Sequence, residues 1–119
     1  MDLKKERYPR IKKNIKDIKP ILNEIKEKLQ KMYGKRLNGI ILIGSYSRGD
    51  ATEDSDIDVV LLLRDMKYPD EEIIKSSNAL GDLELNYDTL ISLIPIDNND
   101  FIERHLPIIL NAKKEGIRI

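Results

Sequence analysis

The sequence has 119 residues, of which 40% are hydrophobic and 35% are charged, and its 21 basic residues balance its 21 acidic residues. This composition predicts one globular domain with a single core and excludes a disordered chain. The balanced charge gives no global attraction to nucleic acid or to an anionic membrane. Because there is no cysteine, disulfides, thiolate metal sites and thiol nucleophiles are excluded.

The chain shows no sign of membrane insertion or of division into domains. No apolar run approaches the length of a membrane span, and the N-terminus lacks the apolar segment of a secretory signal. We therefore expect a cytoplasmic protein that does not contact a membrane. Without repeats or flexible linkers, residues 1–119 are predicted to form one domain, with an N-terminal helical segment (1–34), a strand-rich part (38–96) and C-terminal helices with a tail (97–119).

The N-terminal segment carries an apolar stripe with helical spacing. Its members are Ile11, Ile15, Ile18, Leu22, Ile25, Leu29 and Met32. Pro20 falls inside the stripe, so it either kinks one long helix or lies in the first turn of a second helix. Gly34 is a suitable stop. We expect the stripe to dock on a sheet in preference to forming a coiled coil.

Three strands and further helices are predicted after this segment. Apolar runs at residues 39–43 and 56–63 predict two strands, and the second, ending in "VVLLL", is apolar on both faces as a central strand should be. Pro69 is placed to open a helix over "DEEIIKSSNALGDLEL", and the run "YDTLISLIPI" predicts a third strand.

The C-terminal part is predicted to be helical. Asp97 or Asn98 is placed to cap a short helix near Phe101, and Pro107 is placed to open another that ends near Gly116. The complete order is helix, strand, strand, helix, strand, helix. It predicts an α/β (α+β) fold with a small mixed sheet flanked by helices.

Two acidic residues begin the predicted second strand. Asp56 and Asp58 are two positions apart, so on a strand their side chains leave the same face. Their mutual repulsion is relieved by a divalent cation, and magnesium accepts one or two carboxylates together with water and phosphate. The alternative is a solvated strand end. A calcium loop is excluded, because Val59 stands where the sharp turn requires glycine.

A Gly44-Ser45 turn follows the predicted first strand directly. Glycine lets the backbone approach a ligand closely, and a helical turn beginning at Ser45 would direct amides at phosphate oxygens. The run "GSYSRGD" lacks the lysine of a Walker loop, and an ordinary strand-to-helix turn is the alternative. Together, the turn and the acidic pair predict a magnesium–nucleotide site.

The same residues resemble a known family. Gly44-Ser45, ten intervening residues and Asp56-Ile57-Asp58 are similar to the GS-x10-DxD signature of the DNA polymerase β-like nucleotidyltransferases. The run "GSYSRGDATEDSDIDVVLLL" resembles the minimal nucleotidyltransferases (MNT), as do "YDTLISLIPI" and the tail "NAKKEGIRI". The resemblance extends over residues 37–119 and implies the polymerase β-like nucleotidyltransferase fold.

The resemblance also implies roles for single residues. Asp56 and Asp58 would hold two magnesium ions around the triphosphate of ATP, and the acceptor would attack the α-phosphate with release of pyrophosphate. The family usually adds a third carboxylate from a later strand, and Asp88 is expected to supply it as a catalytic and metal-binding residue. Weaker candidates for this position are Asp82, Glu84 and Asp97.

Further nucleotide contacts are expected from the turn. Gly44, Ser45, Ser47 and Arg48 are the candidate nucleotide-binding residues. For Arg48 the alternative is an exposed ion pair with Asp50 or Glu53. His105, the only histidine, lies far from the signature and is expected to be a surface or core residue and not a base.

The expected function follows from the resemblance and from the short chain, which leaves no second domain to grip an acceptor. We expect an antitoxin that transfers AMP from ATP to a tyrosine of a helical HEPN toxin, with no direct binding of nucleic acid. Two alternatives stay open: modification of a small molecule, and neutralisation of a toxin by binding alone. The clustered carboxylates argue against the second, because a pure binding protein does not need them.

Overall fold

The computed structural model describes residues 9–119, and the first eight residues of the predicted N-terminal segment lie outside them. A 3-10 turn at Ile15–Ile18 leads into helix α1, and a second one at Gly34–Arg36 leads into strand β1. The helices are α1 (Lys19–Tyr33), α2 (Ser45–Arg48), α3 (Pro69–Ala79), α4 (Gly81–Tyr87), α5 (Asn98–Glu103) and α6 (Pro107–Glu115). The strands are β1 (Leu37–Ile43), β2 (Ile57–Leu63), β3 (Ile91–Asp97) and β4 (Ile117–Arg118).

The strands form one sheet in the order β3-β2-β1-β4. β1 is antiparallel to β2 and β4, whereas β2 and β3 are parallel. The predicted α/β fold with a small mixed sheet flanked by helices is therefore confirmed. The sequence analysis did not identify β4, because only two of its residues pair and so short a segment carries no alternating pattern.

Strand β2 is buried on both faces, as its continuous apolar run predicts. On one face Val59, Leu61 and Leu63 belong to a core cluster with Ile25 and Leu29 of α1. The docking of the N-terminal stripe on the sheet is thus observed.

The opposite face of the sheet has its own core. Val60 and Leu62 of β2 pack there with Ile41 of β1 and with Ile109 and Ala112 of α6. Strand β2 therefore holds the two layers of helices together, and Asp58, its second residue, is the half-buried polar position at its start.

Pro20 lies at the start of helix α1 and does not kink it. Pro20 lies in the first turn of the helix, where its missing N–H costs nothing, and the preceding 3-10 turn is capped by the side chain of Asn14. Ile11 precedes both elements and is exposed, so the apolar stripe begins later than its spacing suggested. Within the described residues, no helix has the combination of length and apolarity that crossing a bilayer requires.

Two boundaries differ from the sequence prediction. The predicted single helix after Pro69 is two helices, separated at Leu80. The third strand begins at Ile91, so Asp88 does not open it. Asp88 instead ends α4 in the left-handed conformation, with φ of 49°, which aspartate adopts more readily than most residues.

A polar cluster ties the end of α1 to α3. The Tyr33 hydroxyl donates to Glu72 Oε2 at 2.8 Å, and Arg36 Nη2 donates to Glu72 Oε1 at 2.9 Å. Burial raises the pKa of Tyr33 to about 12, and the Glu72 carboxylate contributes to this rise. Burial also raises the pKa of Glu72, but the Tyr33 and Arg36 hydrogen bonds outweigh it and lower that pKa overall.

We expect Tyr33→Phe to lower the free energy of unfolding by about 1 kcal/mol at neutral pH, because a half-buried hydrogen bond is lost. The pKa of Tyr33 is higher in the folded than in the unfolded chain, so the stabilisation is complete below pH 10 and is lost as the pH rises towards about 12. Denaturant titrations from pH 7 to 12 should therefore show the difference between wild type and variant shrinking above pH 10. Tyr68→Phe, at an exposed position, is the control; an equal response from both variants would contradict the assignment.

Candidate active site

The Gly44 turn directly abuts the second carboxylate of the acidic pair. Ile43 lies opposite Asp58 in the antiparallel pair of β1 and β2, and Gly44 follows with φ of 78° and ψ of −153°. A Cβ atom built on Gly44 would lie 2.6 Å from Asp58 Oδ2. Both the backbone conformation and this contact exclude a side chain, so glycine is required here for a physical reason.

The turn that follows Gly44 is held by its own hydrogen bonds. The Gly44 carbonyl accepts from the amides of Ser47 at 3.1 Å and Arg48 at 3.0 Å, and the Ser47 hydroxyl donates to it at 2.9 Å. Tyr46 is buried in the core and anchors the turn. Ser47 therefore supports the turn, while Ser45 stands at its start beside Gly44.

The two predicted carboxylates meet at the start of β2. Asp56 immediately precedes the strand and is exposed, whereas Asp58 lies within it and is half-buried. Burial raises the pKa of Asp58, and the negative charge of Asp56 raises it further. The polar Ser92 side chain and the positive charge of Arg48 act in the opposite direction and lower this pKa. A carboxylate whose ionisation is disfavoured by burial and by a neighbouring carboxylate fits a divalent cation, which would stabilise its charged form.

Asp88 is not brought into a cluster with this pair. Across residues 9–119, no three acidic or histidine side chains converge at a spacing suited to one metal ion. Asp88 shares a cleft with Asp56, but it also lines a cavity with Ile18 and Ile21, which belong to the α1 side of the sheet. Asp58 points to the other face, together with Val60 and Leu62, and this explains the separation.

Arg48 ends α2 and takes part in two ion pairs. Its Nε atom is 3.6 Å from Asp50 Oδ2, and its Nη1 atom is 3.7 Å from Glu115 Oε1 in α6. The ion pair with Asp50 was one of the alternatives that the sequence raised. Because the positive charge of Arg48 also lowers the pKa of Asp58, the guanidinium remains within electrostatic range of the site.

The residues before α1 hold the loop between the turn and the acidic pair. Lys13 N donates to the Ala51 carbonyl at 3.0 Å, and Glu53 N donates to the Ile11 carbonyl at 2.9 Å. Arg10 adds an ion pair with Asp54, 2.9 Å between Nε and Oδ2. Sequence reasoning missed this role, since backbone pairing over three residues leaves no periodic pattern.

Known protein families identify the class of protein in which this turn and acidic pair occur. The sequence profile of the nucleotidyltransferase domain matches residues 22–117. The chain is a member of this nucleotidyltransferase family. It is 39% identical over 80 residues to the putative protein adenylyltransferase MJ0141 of Methanocaldococcus jannaschii, an alignment that covers 66% of this chain and 78% of that protein.

Solved structures share the fold of this nucleotidyltransferase. A putative nucleotidyltransferase from Sulfolobus solfataricus superposes with a TM-score of 0.63 at 18% identity, over 86% of this chain and 78% of the other. A toxin–antitoxin structure with AMP-PNP gives a TM-score of 0.57 at 20% identity, over 80% and 69% of the two chains. These structures agree with the fold, and the domain profile together with the adenylyltransferase relative confirms the family resemblance that the sequence indicated.

A cleft of about 810 Å³ opens beside the acidic pair of the nucleotidyltransferase. Its acidic lining consists of Glu53, Asp54, Asp56, Asp82, Glu84 and Asp88. Leu85 and Leu90 also line it and are 82% and 62% exposed. The cleft is therefore acidic with two exposed apolar side chains, and it contacts the predicted metal pair only through Asp56.

Two weaker candidates for the third carboxylate, Glu84 and Asp97, accept hydrogen bonds from backbone amides. Glu84 Oε2 accepts from the Ile91 amide at 3.0 Å, and Asp97 accepts from the Asn99 amide at 2.9 Å as the cap of α5. His105 is exposed in the segment between α5 and α6 and does not line the cleft beside Asp56.

We expect Gly44→Ala to destabilise the fold by about 1–3 kcal/mol and to abolish nucleotide binding, because the new methyl group would displace the Asp58 carboxylate. Gly34→Ala is a matched control: Gly34 also has positive φ (51°) and negative ψ (−124°), but among the described residues no atom outside Gly34 and its chain neighbours lies within 4 Å of the point where its Cβ would stand. Denaturant unfolding and calorimetry with ATP would separate the two effects. Equal nucleotide binding by both variants would contradict the close approach as the functional reason for Gly44.

Proposed function

We propose that this nucleotidyltransferase transfers AMP from magnesium-bound ATP to a tyrosine of a cognate HEPN-type toxin and thereby acts as its antitoxin. The observation that carries this proposal is the contact of the Gly44 turn with Asp58, because it brings a candidate phosphate site and a candidate metal site together. The likeness to a protein named as an adenylyltransferase supports a protein acceptor. The shared fold with a toxin–antitoxin structure supports a toxin as that acceptor.

Asp56 and Asp58 are the residues proposed to bind two magnesium ions. When bound, such ions stabilise the entering and leaving oxygens of an in-line displacement at phosphorus. The chain's own contribution is to hold the two carboxylates at one point, beside a turn without a side chain. The amides of Ser45 and Tyr46 begin that turn and are proposed to contact the phosphates, since those of Ser47 and Arg48 already bond to Gly44.

Arg48 is proposed to contact the triphosphate from the α6 side. Its ion pairs with Asp50 and Glu115 are longer than 3.5 Å and partly exposed, so they hold the guanidinium weakly. A triphosphate with several negative oxygens would be the stronger partner. Binding of nucleotide is therefore expected to draw Arg48 away from Glu115.

The acidic cleft beside Asp56 is the proposed acceptor side. Its carboxylates favour a basic segment of the acceptor protein, and the exposed Leu85 and Leu90 offer an apolar contact around it. An acceptor hydroxyl entering through the cleft would reach the centre at Asp56, the residue that the cleft and the acidic pair share. Attack of the hydroxyl oxygen on the α-phosphorus would form the new P–O bond, break the bond to the oxygen that bridges to the β-phosphate, and release pyrophosphate and the hydroxyl proton.

Asp88 stays a prediction as the third carboxylate. It would join Asp56 from the cleft side, because it lies on the opposite face of the sheet from Asp58. In the same position it is also suited to contact a basic acceptor. Asp88→Asn would separate these roles. Loss of a metal ligand raises the magnesium concentration needed for half-maximal activity, whereas loss of an acceptor contact raises only the KM for the acceptor.

We expect Asp56→Asn/Asp58→Asn to reduce AMP transfer about a hundredfold or more, because the carboxylates for the metal are removed. The measurement uses ATP labelled at the α-phosphate, magnesium and the proposed HEPN-type partner, with the products separated by mass. Asp70→Asn/Glu71→Gln removes the same charge from the exposed first turn of α3 and serves as the control.

The destination of the label distinguishes the alternatives. Label on a tyrosine of the partner, lost only in the Asp56/Asp58 variant, supports the proposal. Label on a small molecule and never on the partner would establish a small-molecule nucleotidyltransferase instead. If the partner is neutralised equally by wild type and by the double variant, with no label anywhere, the chain acts by binding alone.

For the acceptor cleft we expect Leu85→Arg to raise the KM for the protein acceptor about tenfold, because it replaces an exposed apolar contact with a bulky charge. ATP affinity should not change, since Leu85 lies outside the Gly44 turn. Ile74→Arg is the matched control: Ile74 is 63% exposed on α3 and does not line the cleft. An acceptor KM that responds equally to both substitutions would place the docking surface elsewhere.

A further inference from the structure

The strand position beside Asp58 on β3 is occupied by a residue that the signature does not include. In the parallel pair of β2 and β3, Asp58 lies opposite Ser92. Paired residues on neighbouring strands direct their side chains to the same face of a sheet. Ser92 therefore stands next to the Asp58 carboxylate, on the side opposite to β1.

The surroundings make this serine unusual in its face of the sheet. The residues that follow on the same face, Ile94 and Ile96 of β3 beside Val60 and Leu62 of β2, belong to the α6-side core. Only the first pair of the row, Asp58 and Ser92, is polar, and Ser92 is exposed at the site. A hydroxyl at this position is not needed for packing.

The structure assigns Ser92 as a positioning residue for Asp58. The carboxylate has Gly44 on one flank, where the absence of a side chain leaves room, and Ser92, its partner in the strand register, on the other. The role assigned to the Ser92 hydroxyl is to donate a hydrogen bond to this carboxylate. A carboxylate held by a hydrogen bond on the β3 side keeps its other lone pairs available for a metal ion. Outer groups of this kind orient a metal-binding carboxylate without contacting the ion.

This inference rests on the proposed function and extends it: the centre would combine two carboxylates with a hydroxyl on β3, and Asp88 would not be the neighbour of Asp58.

We expect Ser92→Ala to weaken binding of Mn²⁺ together with the α,β-methylene analogue of ATP about tenfold. Ser92→Thr, which keeps the hydroxyl, should bind within about twofold of the wild type. Ser77→Ala, on α3, is the control for serine truncation.

Calorimetric titration and the electron paramagnetic resonance of Mn²⁺ provide readouts that need no acceptor protein. Weaker binding by Ser92→Ala, with recovery in Ser92→Thr and unchanged circular dichroism, supports the assignment. If Ser92→Ala binds as the wild type does, Ser92 has no positioning role, and the proposed function is unaffected. If the wild type itself binds no Mn²⁺–nucleotide complex, the proposed function fails and this inference fails with it.

Discussion

The close approach of Gly44 to the Asp58 carboxylate is the constraint on which the site depends. It arises because β1 and β2 are antiparallel neighbours with Ile43 opposite Asp58, so the turn after one strand meets the start of the other. The missing side chain of Gly44 allows the contact, and the buried Tyr46 holds the turn in place. Moving either strand by one residue would direct Asp58 to the opposite face and separate the turn from the carboxylate.

The two hydrophobic cores give this contact its rigidity. Strand β2 packs against α1 on one face and against α6 on the other, and its apolar residues are fully buried. The polar residues of the site stand at the start of this strand, where Asp56 precedes it and Asp58 is its second residue. Backbone hydrogen bonds between residues 11–13 and the loop 51–53 restrain the chain between the turn and Asp56. The side chains of the site are therefore held by ordered segments on both sides.

Electrostatics divides the site into two sides. Arg48, paired with Asp50 and Glu115, provides positive charge near Asp58, whereas the cleft that begins at Asp56 is acidic. A nucleotide and a basic acceptor would therefore approach from different directions and meet at the carboxylate pair. The raised pKa of Asp58 reflects burial and the neighbouring charge of Asp56, and it describes a centre suited to a bound cation.

The sequence by itself determined the family, the mixed α/β fold and the placement of the signature. Each depends on local features: the apolar run of β2, the stripe of α1, the Gly-Ser turn and the acidic pair at fixed spacing. Tertiary structure alone decided which side chain stands beside Asp58, because strand register is set by packing across the sheet and not by neighbours in the chain. For this reason the sequence points to Asp88, beside an apolar run, and carries no signal for Ser92. The role of residues 10–13 was also hidden, since they bond to a loop some forty positions away, and contacts at that separation appear only when the chain has folded.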